Sequence, residues 1–185
     1  MPWPSTHILI AEKLFDRHFT HLNHADFILG TCFPDIRYPA NIERQLTHFE
    51  TLSISEIQSQ SAFDAGLSFH SLVDEMWNIY IREREARLFA ELPHDRPMFH
   101  TLKILQDKFL YSKIHNWQPI VDFFSIILPE ERTFNIHQKM LLLWHEILAH
   151  YLSKPPVIED LKMLNLSLPA ALVGEIETYY CQYQD

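Results

Sequence analysis

The sequence predicts an all-α protein, a single multi-helix domain over residues 1–185. Three observations carry this reading. Only three glycines occur, Gly30, Gly66 and Gly174, where average usage gives roughly thirteen in a chain this long. Tight hairpins, dinucleotide folds and P-loops all rely on glycine, so each is disfavoured. Apolar residues recur with a helical period along nearly the whole chain. With 185 residues, 47% of them hydrophobic and 13% aromatic, the chain can bury one sizeable core.

The elements follow in order. Ser5 or Thr6 can cap a first helix through about Phe19, with Ile8, Ala11, Leu14 and Phe15 on one face. His18, His21 and His24 mark a polar connection, and a short apolar segment, Phe27-Ile28-Leu29, ends at Gly30. Pro34 and Pro39 interrupt the chain and put Asp35 on a loop. A third segment covers about Ile42 to Phe49. Ser53 and Glu56 have capping-box spacing and open a long helical stretch to about Leu92, stopped by Pro93 and Pro97. Further helices read as Met98 to Ile114, Pro119 to Leu128, and Phe134 to Leu152, the last ended by Pro155-Pro156. A weaker helix follows from Val157, and another runs from Leu168 towards the C-terminus.

Charge and composition narrow the function. Fifteen Lys and Arg against twenty-four Asp and Glu give a net charge of −9. So acidic a chain has little with which to neutralise the phosphates of duplex nucleic acid, or to dock on an anionic membrane. No apolar run reaches membrane-spanning length, so no membrane insertion is expected. The N-terminus lacks the basic flank and apolar stretch of a signal peptide, and the two cysteines fit a reducing compartment. A cytoplasmic location is the expectation. Twelve histidines stand out.

The strongest local signal is Phe69-His70-Ser71-Leu72-Val73-Asp74. Residues four apart on a helix share a face, so the His70 imidazole and the Asp74 carboxylate can converge on one point. Asn78 lies one turn further along the same stripe. A divalent metal needs such converging N and O donors. Alone, the pair reads as readily as a surface His–Asp contact or a hydrogen-bonded core histidine. More donors stand upstream: His7 near the start of the first helix, Asp35 on its proline-bracketed loop, and His48 near the end of the third segment. Each has an ordinary reading too, as a helix-end residue, a turn former and a surface histidine.

Taken in order, His7, Gly30-x4-Asp35 with Pro34 before the aspartate, His48, and His70-x3-Asp74 resemble the zinc-dependent phospholipase C family. That family shares its fold with the single-strand-specific zinc nucleases. The resemblance covers about residues 6 to 80. It implies an all-helical bundle that holds a metal cluster with an N-proximal His, a Pro-Asp on a loop, a later His, and a His-x3-Asp on a long helix. Three departures separate this chain from the family. Trp3 is internal rather than a mature N-terminal ligand, Trp77, Asn78 and Tyr80 stand where a further His is expected, and a later His-x3-Glu is missing. The resemblance therefore implies one or two metal ions rather than three.

A second resemblance takes in the later half. His7, Gly30-x4-Asp35, His70-x3-Asp74 and Leu105-Gln106-Asp107-Lys108-Phe109-Leu110 are similar to acyl-carrier-protein phosphodiesterase, within the HD-type metallohydrolases. It implies Asp107 as a late helical ligand. Asn78 replaces an acidic residue expected one turn after Asp74.

Other candidates fall away. The zincin motif needs histidines four apart on one face, but His145 and His150 are five apart and diverge by about 140° beyond a full turn. His145 or His150 belongs instead at the edge of a core of Leu141, Leu142, Trp144 and Leu148. No nucleophile elbow is present. Lys103, Lys108 and Lys113 read as a solvated face.

The sequence thus predicts a divalent-metal hydrolase of phosphoric esters, its ligands His7, Asp35, His48, His70, Asp74 and, from the second resemblance, Asp107. The histidine content favours zinc, with manganese or iron next, as one or two ions. Such a metal acidifies a bound water and polarises a phosphoryl oxygen, and Asp35 would orient or deprotonate that water. Two other readings are acyl-carrier-protein phosphodiesterase, against which the net charge argues, and a non-catalytic helical protein-binding module marked by an exposed apolar patch.

Overall fold

The computed structural model describes residues 3–88, 90–160, 163 and 168–184, with the side chains of 85, 86 and 88 aside, and no strand occurs among them. The helices are α1 (Pro4–His18), α2 (His24–Cys32), α3 (Arg37–Ala40), α4 (Ile54–Ile57), α5 (Ala62–Leu88), α6 (Arg96–Tyr111), α7 (Gln118–Phe123), α8 (Gln138–Leu152) and α9 (Ala170–Tyr183). Single 3₁₀ turns lie at Pro34–Ile36, Arg44–Leu46 and Glu130–Phe134. No helix of the described residues is long and apolar enough to cross a membrane.

Local chemistry accounts for most boundaries, including those that differ from the sequence reading. α1 starts at Pro4, a favoured first position, and neither Ser5 nor Thr6 caps it with its own side chain. Its free amides are bound from α6 instead, by Asp107. Asn23 caps α2 by accepting from the Asp26 amide at 3.1 Å, and that helix runs through Gly30 to Cys32 rather than ending at the glycine. Ile42 to Phe49 holds only one 3₁₀ turn, because Asn41 takes a left-handed conformation (φ 50°) and closes α3.

The long stretch expected from Ser53 to Leu92 is two helices. The Ser53–Glu56 capping box forms but supports a single turn, α4. Ser59 then turns its hydroxyl back onto the Glu56 carbonyl at 2.7 Å, a local bond that competes with continued helix. Gln58 reaches away to donate to the His18 carbonyl, and the Ser61 hydroxyl receives the Asp64 amide where α5 restarts. α6 starts at Arg96 under an Asp95 cap and ends at Tyr111, short of Ile114. α7 is shorter than 119–128, and α8 begins only after Asn135, again left-handed (φ 54°). The helix expected from Val157 falls largely on residues 161, 162 and 164–167, outside the described residues.

One core joins these elements. Phe19, Phe27 and Phe69 pack together between α1, α2 and α5, and Trp144 of α8 donates its indole N–H to the Cys32 carbonyl at 3.2 Å. Cys32 is a buried free thiol and Cys181 an exposed one. Within the set expected at the edge of that core, Leu142 is exposed, whereas His145 is buried and bonded to Glu131 at 2.7 Å.

α2 and α5 make the closest crossing. A Cβ on Gly66 would lie 2.6 Å from the Thr31 amide nitrogen, and one on Gly30 would lie 2.9 Å from the Phe63 carbonyl carbon. Both neighbours are backbone, which cannot rotate away. Gly66→Ala should therefore destabilise the protein by about 1–3 kcal/mol or more, the range for overpacking. Gly174→Ala in α9, with nothing within 4 Å of the added carbon, should stabilise it by about 0.5–1 kcal/mol. Urea unfolding of the two variants tests the opposite signs.

Candidate metal centre

The α2–α5 crossing brings α5 against the end of α2, where five donors meet. His7 lies in the first turn of α1, and Asp35 in the 3₁₀ turn that follows α2. His48 stands in the irregular segment before α4, and His70 and Asp74 on α5. The His7 and His70 rings stack 4.1 Å apart, with their planes 4° from parallel. His48 meets His70 edge-on, centroids 5.0 Å apart. Asp74 Oδ1 lies 3.3 Å from His7 Nε2, and its Oδ2 lies 3.6 Å from His48 Nε2 and 3.7 Å from His70 Nε2. Asp35 Oδ1 is 4.0 Å from His48 Nε2. His7, His70 and Asp74 each offer a ligand atom within 4.8 Å of one another, as do Asp35, His48 and His70.

The hydrogen bonds fix what the nitrogens present. His7 Nδ1 faces the Trp3 carbonyl at 3.3 Å and His70 Nδ1 the Thr31 carbonyl at 2.9 Å. A carbonyl only accepts, so both Nδ1 atoms carry the proton. Thr47 spends its hydroxyl proton on the Pro34 carbonyl at 3.0 Å, and so accepts from His48 Nδ1 at 3.1 Å. All three rings are thereby set in one tautomer, with the Nε2 lone pair turned towards the carboxylates. Backbone or polar acceptors on the second nitrogen are the usual support of a metal-binding histidine. His70 has only Nε2 to give, so it can serve one of the two triads at a time.

These atoms have no other partner. His7 Nε2, His48 Nε2, His70 Nε2, Asp35 Oδ1 and Asp74 Oδ1 are buried without a hydrogen bond. Unpaired buried polar atoms are rare and unfavourable. Here five face one another as lone pair against lone pair, an arrangement that a cation relieves. Arg44 supplies part of that charge, its guanidinium 3.2 Å from Asp74 Oδ2.

Burial holds the imidazoles neutral. It pulls His7 down to about 4, partly offset by Asp35, and His70 down to about 4, with the His7 ring adding to the effect. His48 falls to about 2, through burial first and then its neighbours His70, Arg44 and Arg37. A neutral ring is the metal-binding form.

Asp107, expected as a ligand, lies elsewhere. Its Oδ2 accepts from the Ser5 amide and the Tyr151 hydroxyl, both at 2.9 Å, and its Oδ1 accepts from the Thr6 amide at 3.0 Å and the Thr6 hydroxyl. Both oxygens are used, and it is not among the converging donors. It caps α1 from outside and so fixes the turn that carries His7. Burial pushes its carboxyl up to about 6 against the pull of those bonds. His145 and His150 also stand apart, bonded to Glu131 and beside Asp160. Thr47, Thr31 and Arg44 were not singled out from sequence. Thr47 alone carried a signal, as the residue directly before His48.

Metal-free protein should lose stability on acidification. The unfolded chain protonates its histidines near pH 6.5, whereas folded His7, His70 and His100 stay neutral until about 4 and His48 lower still. Unfolding then takes up protons, so stability falls as pH drops from 6.5 towards 4. Asp107 acts oppositely over about 6 to 3.8, one group against four. The urea midpoint of chelator-treated protein should decline across this window, and a flat profile would contradict neutral buried imidazoles.

Comparison with protein-family models, curated proteins and solved structures finds no match to this chain.

Proposed function

We propose that the protein is a metal-dependent hydrolase of phosphoric esters, with His7, Asp35, His48, His70 and Asp74 as its ligands. The observation that carries this is the set of five buried, unpartnered donor atoms on three neutral imidazoles and two carboxylates. Three nitrogens and carboxylate oxygens suit zinc, with manganese or iron as the next candidates. Two carboxylates balance one dication, and a second ion would leave the centre positive, which suits an anionic ester. When bound, such a metal acidifies a water and polarises a phosphoryl oxygen. Asp35 is the residue for the proton. It is the most accessible of the five donors, its side chain 15% exposed, and it is held by a turn rather than a long helix. It accepts a proton from the attacking water while His7, His70 and Asp74 stay fixed by α1 and α5.

The resemblance to the zinc-dependent phospholipase C family supports the same reading. An apolar groove of about 790 Å³ between α1, α5 and α6, lined by Ile10, Leu14, Val73, Met76 and Phe109 among others, favours a second reading, a non-catalytic module that binds a partner through the exposed Met76, Tyr80 and Phe109. The late helical ligand that the resemblance to acyl-carrier-protein phosphodiesterase implies, Asp107, is committed to α1 instead.

Two measurements test the proposal. Protein purified without chelator should contain metal by elemental analysis. His70→Ala and Asp74→Ala should lose it, while His145→Ala and His150→Ala retain it. Full metal in the first pair would remove the site. The metal-loaded protein should also hydrolyse an activated phosphodiester, and Asp35→Asn, with its metal intact, should be slower by about 10²–10⁴-fold, the usual contribution of a general base. Metal without hydrolysis of any phosphoester would leave the binding module as the better reading.

A further inference from the structure

The centre is closed on most sides. The side chains of His7, His48, His70 and Asp74 are each exposed by 3% or less. Solvent is met instead by Asp35 and, 51% exposed, by Arg44. The backbone fixes Arg44 at this edge. It opens the 3₁₀ turn Arg44–Leu46, and its carbonyl accepts from the amides of Thr47 at 3.1 Å and His48 at 2.9 Å. Phe49, the residue after His48, donates its amide to the Ser71 hydroxyl of α5 at 3.2 Å. The turn is thus docked on the helix that bears His70 and Asp74, and Arg44 donates through Nη2 to Asp74 Oδ2 at 3.2 Å. That same oxygen lies 3.6 Å from His48 Nε2 and 3.7 Å from His70 Nε2, so the guanidinium stands one hydrogen bond from the converging donors.

As an ion pair with one half-exposed partner, the contact adds little to stability. Its charge matters more. Three neutral imidazoles, two carboxylates and one guanidinium carry a single net negative charge, and one bound dication turns this into a single positive charge. A phosphodiester monoanion balances it, with no second ion needed, on a chain whose overall charge of −9 would repel that ester. Once an ion shares Asp74, the guanidinium is no longer required to compensate that carboxylate. Its planar fork of N–H donors matches the oxygens of a phosphoryl group, and its exposure lets it meet a ligand arriving on the side where Asp35 opens the centre.

We infer that Arg44 is the anion-binding residue of this centre, its guanidinium holding phosphoryl oxygens of the ester beside the ion. The inference rests on the metal-centre reading and adds to it the group that selects an anionic ester over a neutral one.

The test is calorimetric titration of zinc-loaded full-length protein with inorganic phosphate. Wild-type protein should bind it. Arg44→Met and Arg44→Gln should keep their zinc and bind phosphate about 10–100-fold more weakly, as loss of one charged hydrogen bond implies. Arg44→Lys, which keeps the charge without the fork, should recover part of that loss. Arg17→Met, at the exposed end of α1, should match wild type. Zinc lost from both neutral variants would make Arg44 a support of Asp74, and phosphate affinity unchanged in them would make it a surface ion pair. Either result overturns the inference and leaves the metal centre standing, as does zinc-loaded wild-type protein that binds no phosphate. Wild-type protein that takes up no metal overturns both.

Discussion

The close crossing of α2 and α5 is the constraint on which the rest of the structure depends. Gly30 and Gly66 meet the partner helix backbone to backbone, at a separation that no side chain allows. That approach puts the Thr31 carbonyl within 2.9 Å of His70 Nδ1, which orients the ring and sets its tautomer. It also carries the turn with Asp35 to the face of α5 that bears Asp74. A wider crossing would leave the same residues in sequence and separate them in space. In a chain with so few glycines, two are spent on one contact between helices rather than on turns.

Around that crossing the donors are aimed by bonds made behind them. Each imidazole gives its far nitrogen to an oxygen: Trp3, Thr31 or Thr47. The near nitrogen is thereby left unprotonated, buried and facing carboxylates. This would be a poor way to build a stable core, since unpaired buried polar atoms lower stability. Sites that trade stability for a fixed constellation of polar groups are where function concentrates. The second anchor is Asp107, which closes the first turn of α1 from a helix distant in sequence.

The donors were legible in the sequence one by one through local signals, and the family resemblance joined them into a set. His70 and Asp74 share a helix face by arithmetic alone, Pro34 marks the turn under Asp35, and His7 sits where a first helix must start. The all-α class followed from periodicity and scarce glycine. What escaped depends on tertiary partners. The break between α4 and α5 comes from Ser59, Gln58 and Ser61 choosing bonds that no periodicity reveals. His48 stands on irregular backbone, held through Thr47 to the Pro34 carbonyl. Asp107 has the residue type and helical setting of a ligand, and only the fold tells that α1 takes both its oxygens.

The Asp107 bond to Tyr151 reaches further than its size suggests. Tyr151 belongs to α8 and donates to the same oxygen that receives the Ser5 amide. The last third of the chain contributes none of the five donors, yet it completes the clamp on the turn that carries His7. The centre is therefore not a portable cassette. A fragment ending before α8 would contain all five donors and lack the tyrosine hydroxyl that shares the Asp107 carboxylate with the first turn of α1.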